Sequence, residues 1–318
     1  QDLTLRHRVA GYRAGDLERR YPTLAVEEDV FINYGFVTRA VQALMHPRTG
    51  ASLRPLSRRR RALEVLAFVQ ERGTAHPRDV DAHFAHGTVT NYWGGASNAT
   101  THLLEAMHYE GWLRVVRRDG GVRVYAARPR EEAPVRAAAR RARVDRLVDV
   151  VVRKYAPLPA ASLAFAVRRL RYAVPQWANE LGNALQRARA RLSRVAVGST
   201  DWYWPAEEVV PSDAPTPVVR LLAPFDPVVW DRRRFEMLWG WAYRFEAYTP
   251  ASKRKRGYYA LPLLWRDRVV GWGNVSLQRG ELHAEFGYVA SRPRDAAFRR
   301  ELEAEVERMR VFLASPAS

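Results

Sequence analysis

The sequence predicts an α+β fold, helical and basic over its first two thirds and β-rich over its last third. Three observations carry that expectation. Apolar residues recur at helical spacing in successive stretches between residues 58 and 191. Asp119-Gly120-Gly121 separates two β-rich runs, which is a strong hairpin signal. After the Pro-rich stretch 209–217 (VVPSDAPTP), short β-branched and aromatic runs alternate with turn residues.

The elements follow in order. Residues 1–57 read as helical and polar, with breaks at Gly11, Gly15, Pro22, Gly35 and Pro47, and as the remainder of an N-terminal domain. Residues 58–130 give the clearest signal. A basic helix starts near Arg58 with Leu63, Leu66, Ala67 and Val69 at helical spacing, and stops at Gly73. A short helix runs from Pro77 to Phe84. A third, from Ser97 as its N-cap to Tyr109, presents Leu103, Leu104 and Met107. The strands Trp112–Arg117 and Val122–Ala126 close the unit. Three helices and a hairpin make a winged helix, a variant of helix-turn-helix.

Residues 131–210 repeat the pattern as a second, arginine-rich winged helix. Its helices fit Val135–Tyr155, Ala160–Arg171 and Trp177–Arg191, with strands Val195–Val197 and Trp202–Trp204. Residues 218–318 fit a small β-barrel or curved sheet. Its strands are Val218–Leu222, Tyr243–Tyr248, Tyr258–Leu264, Arg268–Trp272 and Leu282–Tyr288, with helices Asp231–Leu238 and Ala296–Phe312.

Composition narrows the function. The 318 residues carry a net charge of +18, which favours a polyanionic partner. All but three of the 52 basic residues are arginine. A GC-rich genome is the expected reason and the fit of arginine forks to phosphates and guanine edges the alternative, and composition alone does not separate them. Cysteine is absent, which excludes thiol nucleophiles, disulfides, Cys-based zinc sites and iron–sulfur clusters. No apolar run is long enough to span a bilayer, so no membrane is expected. No signal peptide is visible, and the default is a soluble cytoplasmic protein, associated with the nucleoid if its partner is DNA. The chain starts with Gln1 rather than Met, and a fragment or an incomplete gene model is expected.

Nucleic-acid contacts are expected in three places. The loop before the third helix and that helix's start offer Asn91, Trp93 and Asn98. Trp93 is equally a packing residue. The wing offers Arg117, Arg118 and Arg123 to phosphate. The loop Lys253, Arg254, Lys255, Arg256, followed by Tyr258, joins cations to rings. Region 128–194 holds sixteen Lys and Arg against five acids and is read as a phosphate-facing surface. Asp226 is expected to close an Asx-turn and Asp231 to cap the following helix. Glu27, Glu28 and Asp29 form a dense acidic cluster, expected as a solvated turn and, less readily, as carboxylates that steady an oxocarbenium-like sugar. His76, His83 and His86 fit no zinc spacing, so no metal is expected.

The run Ala223–Leu264 carries the most specific signal. Pro224-Phe225-Asp226-Pro227, Trp230-Asp231-Arg232-Arg233-Arg234 and Lys253-Arg254-x-x-Gly257-Tyr258-Tyr259 form one series. That series resembles the YcaQ/AlkZ family of winged-helix DNA glycosylases, and the Trp93-Gly94 segment before the third helix extends the resemblance. The resemblance implies a monofunctional glycosylase that hydrolyses the bond between deoxyribose and an N7-alkylated purine, interstrand crosslinks included. Its partner would be damaged duplex DNA and its form a monomer. Water would be the nucleophile, with no cofactor or metal. Two departures stand out. The family's Gln-x-Gln or Gln-x-Asp signature does not occur in this sequence, and Gln1–Val9 resembles the segment that follows it, so the motif is expected upstream. Where family members carry His-Glu-Ala, this chain reads Glu27-Glu28-Asp29-Val30, which suggests a divergent subgroup. The alternative is a non-catalytic DNA-binding protein such as a regulator, which needs a dimerisation element.

Overall fold

The structure, a computed structural model, describes residues 1–49, 56–90, 94–129, 136–209, 212–279 and 281–313. It is mixed α+β, with small antiparallel sheets. The chain forms two compact units. One comprises residues 18–153 and 163–192; the other comprises residues 1–17, 154–162 and 193–318.

The elements begin with two short helices, α1 (Asp2–Leu5) and α2 (Asp16–Arg20). Gly11 (φ 64°) and Gly15 (φ 81°) turn the chain between them, in a region that side chains rarely enter. Then β1 (Val26–Val30) pairs antiparallel with β2 (Tyr34–Thr38), and α3 (Arg39–Met45) follows. The expectation of an all-helical start therefore fails here. The run Val26, Val30, Phe31, Ile32, Phe36 and Val37 is rich in the β-branched and aromatic residues that favour a strand.

Next come α4 (Leu56–Arg72), α5 (Pro77–Phe84), the strand pair β3 (Thr88–Thr90) and β4 (Ala96–Asn98), and α6 (Ala99–Tyr109). The hairpin β5 (Leu113–Asp119) and β6 (Val122–Ala127) turns at Gly120 and Gly121, both at positive φ. Three helices and a hairpin thus stand in the expected order, with two local shifts. The buried stripe of α4 is Ala62, Val65, Phe68 and Val69, one residue round from the predicted face, and Leu63 is exposed. The cap of α6 is Asn98 rather than Ser97, its side chain accepting from the Thr101 N–H at 2.9 Å. Leu103, Leu104 and Met107 are buried as predicted. Tyr125 of β6 bridges Ala75 just ahead of α5, which ties the hairpin to the helices.

The second stretch contains α7 (Ala137–Tyr155), β7 (Leu158–Pro159), α8 (Ala160–Arg169), α9 (Leu181–Arg191) and the hairpin β8 (Ser193–Val197) and β9 (Thr200–Trp204). Within its sheet β9 lies between β7 and β8. Ion pairs Arg187–Asp145 and Arg191–Asp149 join α9 to α7.

The last third holds β10 (Val219–Leu221), α10 (Pro227–Trp230), α11 (Arg232–Trp239), β11 (Leu261–Trp265), β12 (Arg268–Gln278), β13 (Glu281–Tyr288) and α12 (Ala296–Leu313). The four strands form an open antiparallel meander in the order β10-β11-β12-β13; of the barrel and the curved sheet expected, no closed barrel forms among the described residues. The predicted strand Tyr243–Tyr248 joins no ladder; the chain is irregular to Glu246 and turns at Ala247 and Tyr248. Two of its polar groups are used otherwise: the Tyr243 hydroxyl donates to the Ala260 carbonyl at 2.7 Å, and the Glu246 carbonyl accepts from the Thr249 N–H at 2.9 Å. One face of the sheet is covered by α12, through Leu221, Leu263, Trp265, Phe298, Leu302 and Met309. At the seam, buried Glu305 of α12 accepts from the Leu221 N–H at 2.9 Å and pairs with Arg6.

Candidate functional site

In the unit of residues 18–153 and 163–192, the acidic run is neither a turn nor solvated. Glu27, Glu28 and Asp29 lie on β1 and are 4%, 1% and 1% exposed. An isolated buried carboxylate is too costly to stay charged, so each needs its own cations and donors. Arginine supplies them from far along the chain. Glu27 binds Arg114 at 2.8 Å, Arg128 at 3.2 Å and Arg39 at 3.2 Å. Glu28 accepts two bonds from Arg118, at 2.7 and 2.9 Å, and one from the Tyr34 hydroxyl at 2.8 Å. Asp29 accepts from Arg48 at 2.7 Å, from His46 at 2.8 Å and from its neighbour's N–H, Val30, at 2.7 Å.

Arg48 is fully buried and joins four segments. Its guanidinium donates to Asp29 and to the carbonyls of Val30, Tyr109 and Ala173, and stacks 4.6 Å from the Tyr109 ring centre. A planar five-donor group is the one side chain able to satisfy so many acceptors at once. His108 adds a bond to the Glu28 carbonyl at 2.9 Å. Burial alone raises the Asp29 carboxyl, but the His46 hydrogen bond and the Arg48 charge outweigh it and hold the group well below the usual carboxylate range. Glu28 is also held low, the bonds from Arg118 and Tyr34 overcoming burial. Burial pushes His108 down to about 4 and lowers His46 as well, so both rings are neutral at pH 7.

The cluster decides where the arginines of the β5–β6 hairpin go. Arg118 is committed to Glu28. Arg123 lies 3.2 Å from Glu105 and stacks over the Tyr34 ring at 4.3 Å. Arg117 is the outward member, paired with Asp119 at the hairpin tip. In the third helix, Asn98 is the cap and also donates to Asp81 at 2.9 Å, while Thr100 is buried and bonds Asp81 at 2.7 Å. Asn91 and Trp93 fall outside the described residues. His76 caps α5, accepting from the Arg78 N–H, and His83 and His86 pack on Phe84.

In the other unit, the Pro-Phe-Asp-Pro turn is a hydrogen-bonded joint. Asp226 is fully buried and caps α10 through the Val228 N–H at 2.9 Å, while Arg8 grips both its oxygens at 2.7 and 2.9 Å. Asp231 caps α11 through the Arg234 N–H, as predicted. Of the following arginines, Arg234 is buried against the carbonyls of Tyr155, Pro227 and Val228. Arg232 donates to the Pro224 and Val229 carbonyls, and Arg233 is exposed.

The basic loop faces outward. Lys253 and Lys255 are exposed, with no ion-pair partner among the described residues. Arg254 stacks 4.9 Å from the Tyr258 ring centre, and Arg256 turns inward over Trp241 and Trp272. Tyr258 is 59% exposed. Glu246, buried, accepts the N–H groups of both Lys255 and Arg256 through one oxygen, at 2.9 and 2.8 Å, and so fixes the loop from below.

Sequence reasoning missed Arg48, His46, His108 and Tyr34, which build the buried cluster, and Glu246, which builds the loop. One signal for the cluster was on the page: an acidic triplet flanked by Val26, Val30, Phe31 and Ile32 sits in an apolar run, where a solvated turn does not belong.

Among the described residues, no helix is long and apolar enough to cross a membrane. No solved structure matches the chain. The family model described as DNA glycosylase AlkZ-like matches residues 1–312, almost the full length. With the series that runs from the buried Asp226 joint to the outward basic loop, that match makes the chain a member of the AlkZ-like DNA glycosylase family.

Proposed function

We propose that this protein is a monofunctional DNA glycosylase that releases N7-alkylated purines, interstrand crosslinks included, from duplex DNA, with water as nucleophile. The family match along residues 1–312 is the observation that carries this reading. The chemistry of the buried acids supports the substrate class. Of the seven carboxylates buried among the described residues, five, Glu27, Glu28, Asp29, Asp226 and Glu305, are ion-paired with arginine and serve the fold, not general-acid catalysis. An N7-alkylated purine is already cationic and leaves without being protonated. Its hydrolysis needs an oriented water and support for an oxocarbenium-like sugar, not a general acid.

In this reading, residues 58–130 and 131–210 are winged helices, residues 1–57 belong to a third, and residues 218–318 form an accessory sheet domain. Duplex contacts come from Arg117 at the hairpin tip, from Lys253 and Lys255, and from Asn91 and Trp93, while Tyr258 offers its ring to a base and not to the duplex backbone. The triplet Glu27, Glu28 and Asp29 is assigned to holding the fold, not to catalysis.

The test is release of N7-methylguanine from duplex DNA, measured with this chain and with its reading frame extended upstream. Release above the spontaneous rate is expected. Salt-sensitive binding without release, from N7-methylguanine and crosslinked duplexes alike, establishes instead a non-catalytic DNA-binding protein.

A further inference from the structure

Four aromatic side chains lie open around the basic loop. Phe225, Tyr248, Tyr258 and Tyr259 are 58%, 90%, 59% and 38% exposed. Phe245 sits among three of them, with ring centres 5.3 Å from Phe225, 6.0 Å from Tyr248 and 5.1 Å from Tyr259. Single exposed apolar residues are ordinary, but a contiguous aromatic patch marks a contact surface.

The patch is built, not floppy. The Glu246 carboxylate gathers the backbone at Lys255 and Arg256, and the Glu246 carbonyl accepts from the Thr249 N–H at 2.9 Å. Arg254 reaches back to the Thr249 carbonyl at 2.8 Å, and Asn274 donates to the Arg256 carbonyl at 2.6 Å. Gly257 adopts φ 115° against Asn274, a conformation and a closeness that only glycine accepts without strain. Rings held in place before a ligand arrives lose little freedom on binding.

We infer that this surface is a stacking platform for unpaired bases of single-stranded DNA. The charge commits it to a polyanion: Lys253 and Lys255 stand exposed at its edge, and Arg254 lies over Tyr258. The rings then choose the strand state. In a duplex the base faces are already stacked on one another, and a protein meets phosphates and groove edges. A ring can stack only on a base that has left its pair. The inference rests on DNA being the substrate, and it adds that the protein engages an unpaired tract beside the duplex it repairs.

Equilibrium binding of a fluorescent oligo-dT strand and of a duplex of equal length tests it. The wild-type chain should bind both. Combined Tyr248→Ala and Tyr258→Ala should weaken oligo-dT binding by roughly tenfold or more and duplex binding by no more than about twofold. Tyr248→Phe with Tyr258→Phe should keep wild-type affinity, because the ring is what stacks. Unchanged oligo-dT binding by the alanine variant overturns the platform. So does an equal loss for strand and duplex with circular dichroism and melting intact. Neither result touches base release from a duplex, so failure here and failure of the glycosylase reading are told apart.

Discussion

The acidic run at residues 27–29 and the basic run at residues 253–256 look alike in sequence, and the fold treats them oppositely. The acids are swallowed: three successive carboxylates on one strand are each closed over by arginines from 12 to 101 residues away. The basic loop is displayed. One buried carboxylate, Glu246, holds its backbone so that Lys253 and Lys255 face solvent. A charge run therefore says nothing by itself about facing water. What decides is whether the sequence elsewhere supplies opposite charge on elements that pack against it.

That contrast is broken most severely at Arg48. Replacing it with Ala strands the Asp29 carboxylate and three backbone carbonyls in the interior, and should cost about 3–5 kcal/mol, seen as a lower urea midpoint. Arg48→Lys should recover little of it, since one ammonium cannot span those acceptors.

Acid should attack the same region next. His108 is held down to about 4 by burial, while the unfolded chain titrates near the usual histidine value of about 6.5. Between those values the unfolded state takes up a proton that the folded state refuses. Stability is therefore full above about pH 6.5 and falls as the pH drops to 4, by about 3 kcal/mol. His46 acts in the same direction, and below the unfolded carboxylate range Asp29 extends the loss. In His108→Gln, urea unfolding across this range should show a clearly shallower pH slope; an unchanged slope would remove His108 from the account.

Smaller effects sharpen the comparison. Arg118→Ala opens the Glu28 pair, whose arginine is partly exposed, and should cost about 1–3 kcal/mol. Combined Lys253→Ala and Lys255→Ala should leave stability within about 0.5 kcal/mol, as surface changes away from packing do. A thermal melt of the two variants side by side checks both.

Local features were legible in the sequence, and long-range ones were not. The Asp119-Gly120-Gly121 turn, the caps at Asp226 and Asp231 and the apolar face of α6 depend on neighbours a few residues away, and they lie where the pattern puts them. The family series at Ala223–Leu264 was legible for the same reason. The burial of Glu27 and Glu28 depends on Arg114, Arg118 and Arg128, some ninety residues on, which no local pattern announces. No barrel closes among the described residues: Tyr243–Tyr248, though β-rich, joins no ladder, and its Glu246 carbonyl is spent on a turn with the Thr249 N–H. An arginine-rich hairpin has a second use that its own sequence does not announce, which is to neutralise buried acids.

The salt dependence of duplex binding tests most directly whether charge in this protein is divided between a buried scaffold and a displayed loop. Log affinity should be plotted against log salt for the wild type, for Arg118→Gln and for combined Lys253→Ala and Lys255→Ala, below every melting transition. The lysine variant should lose about two units of slope, roughly 0.9 for each phosphate contact given up, while Arg118→Gln keeps the wild-type slope and melts lower. A lost slope in Arg118→Gln with melting unchanged would contradict the account, because it would place that arginine on DNA and not on Glu28.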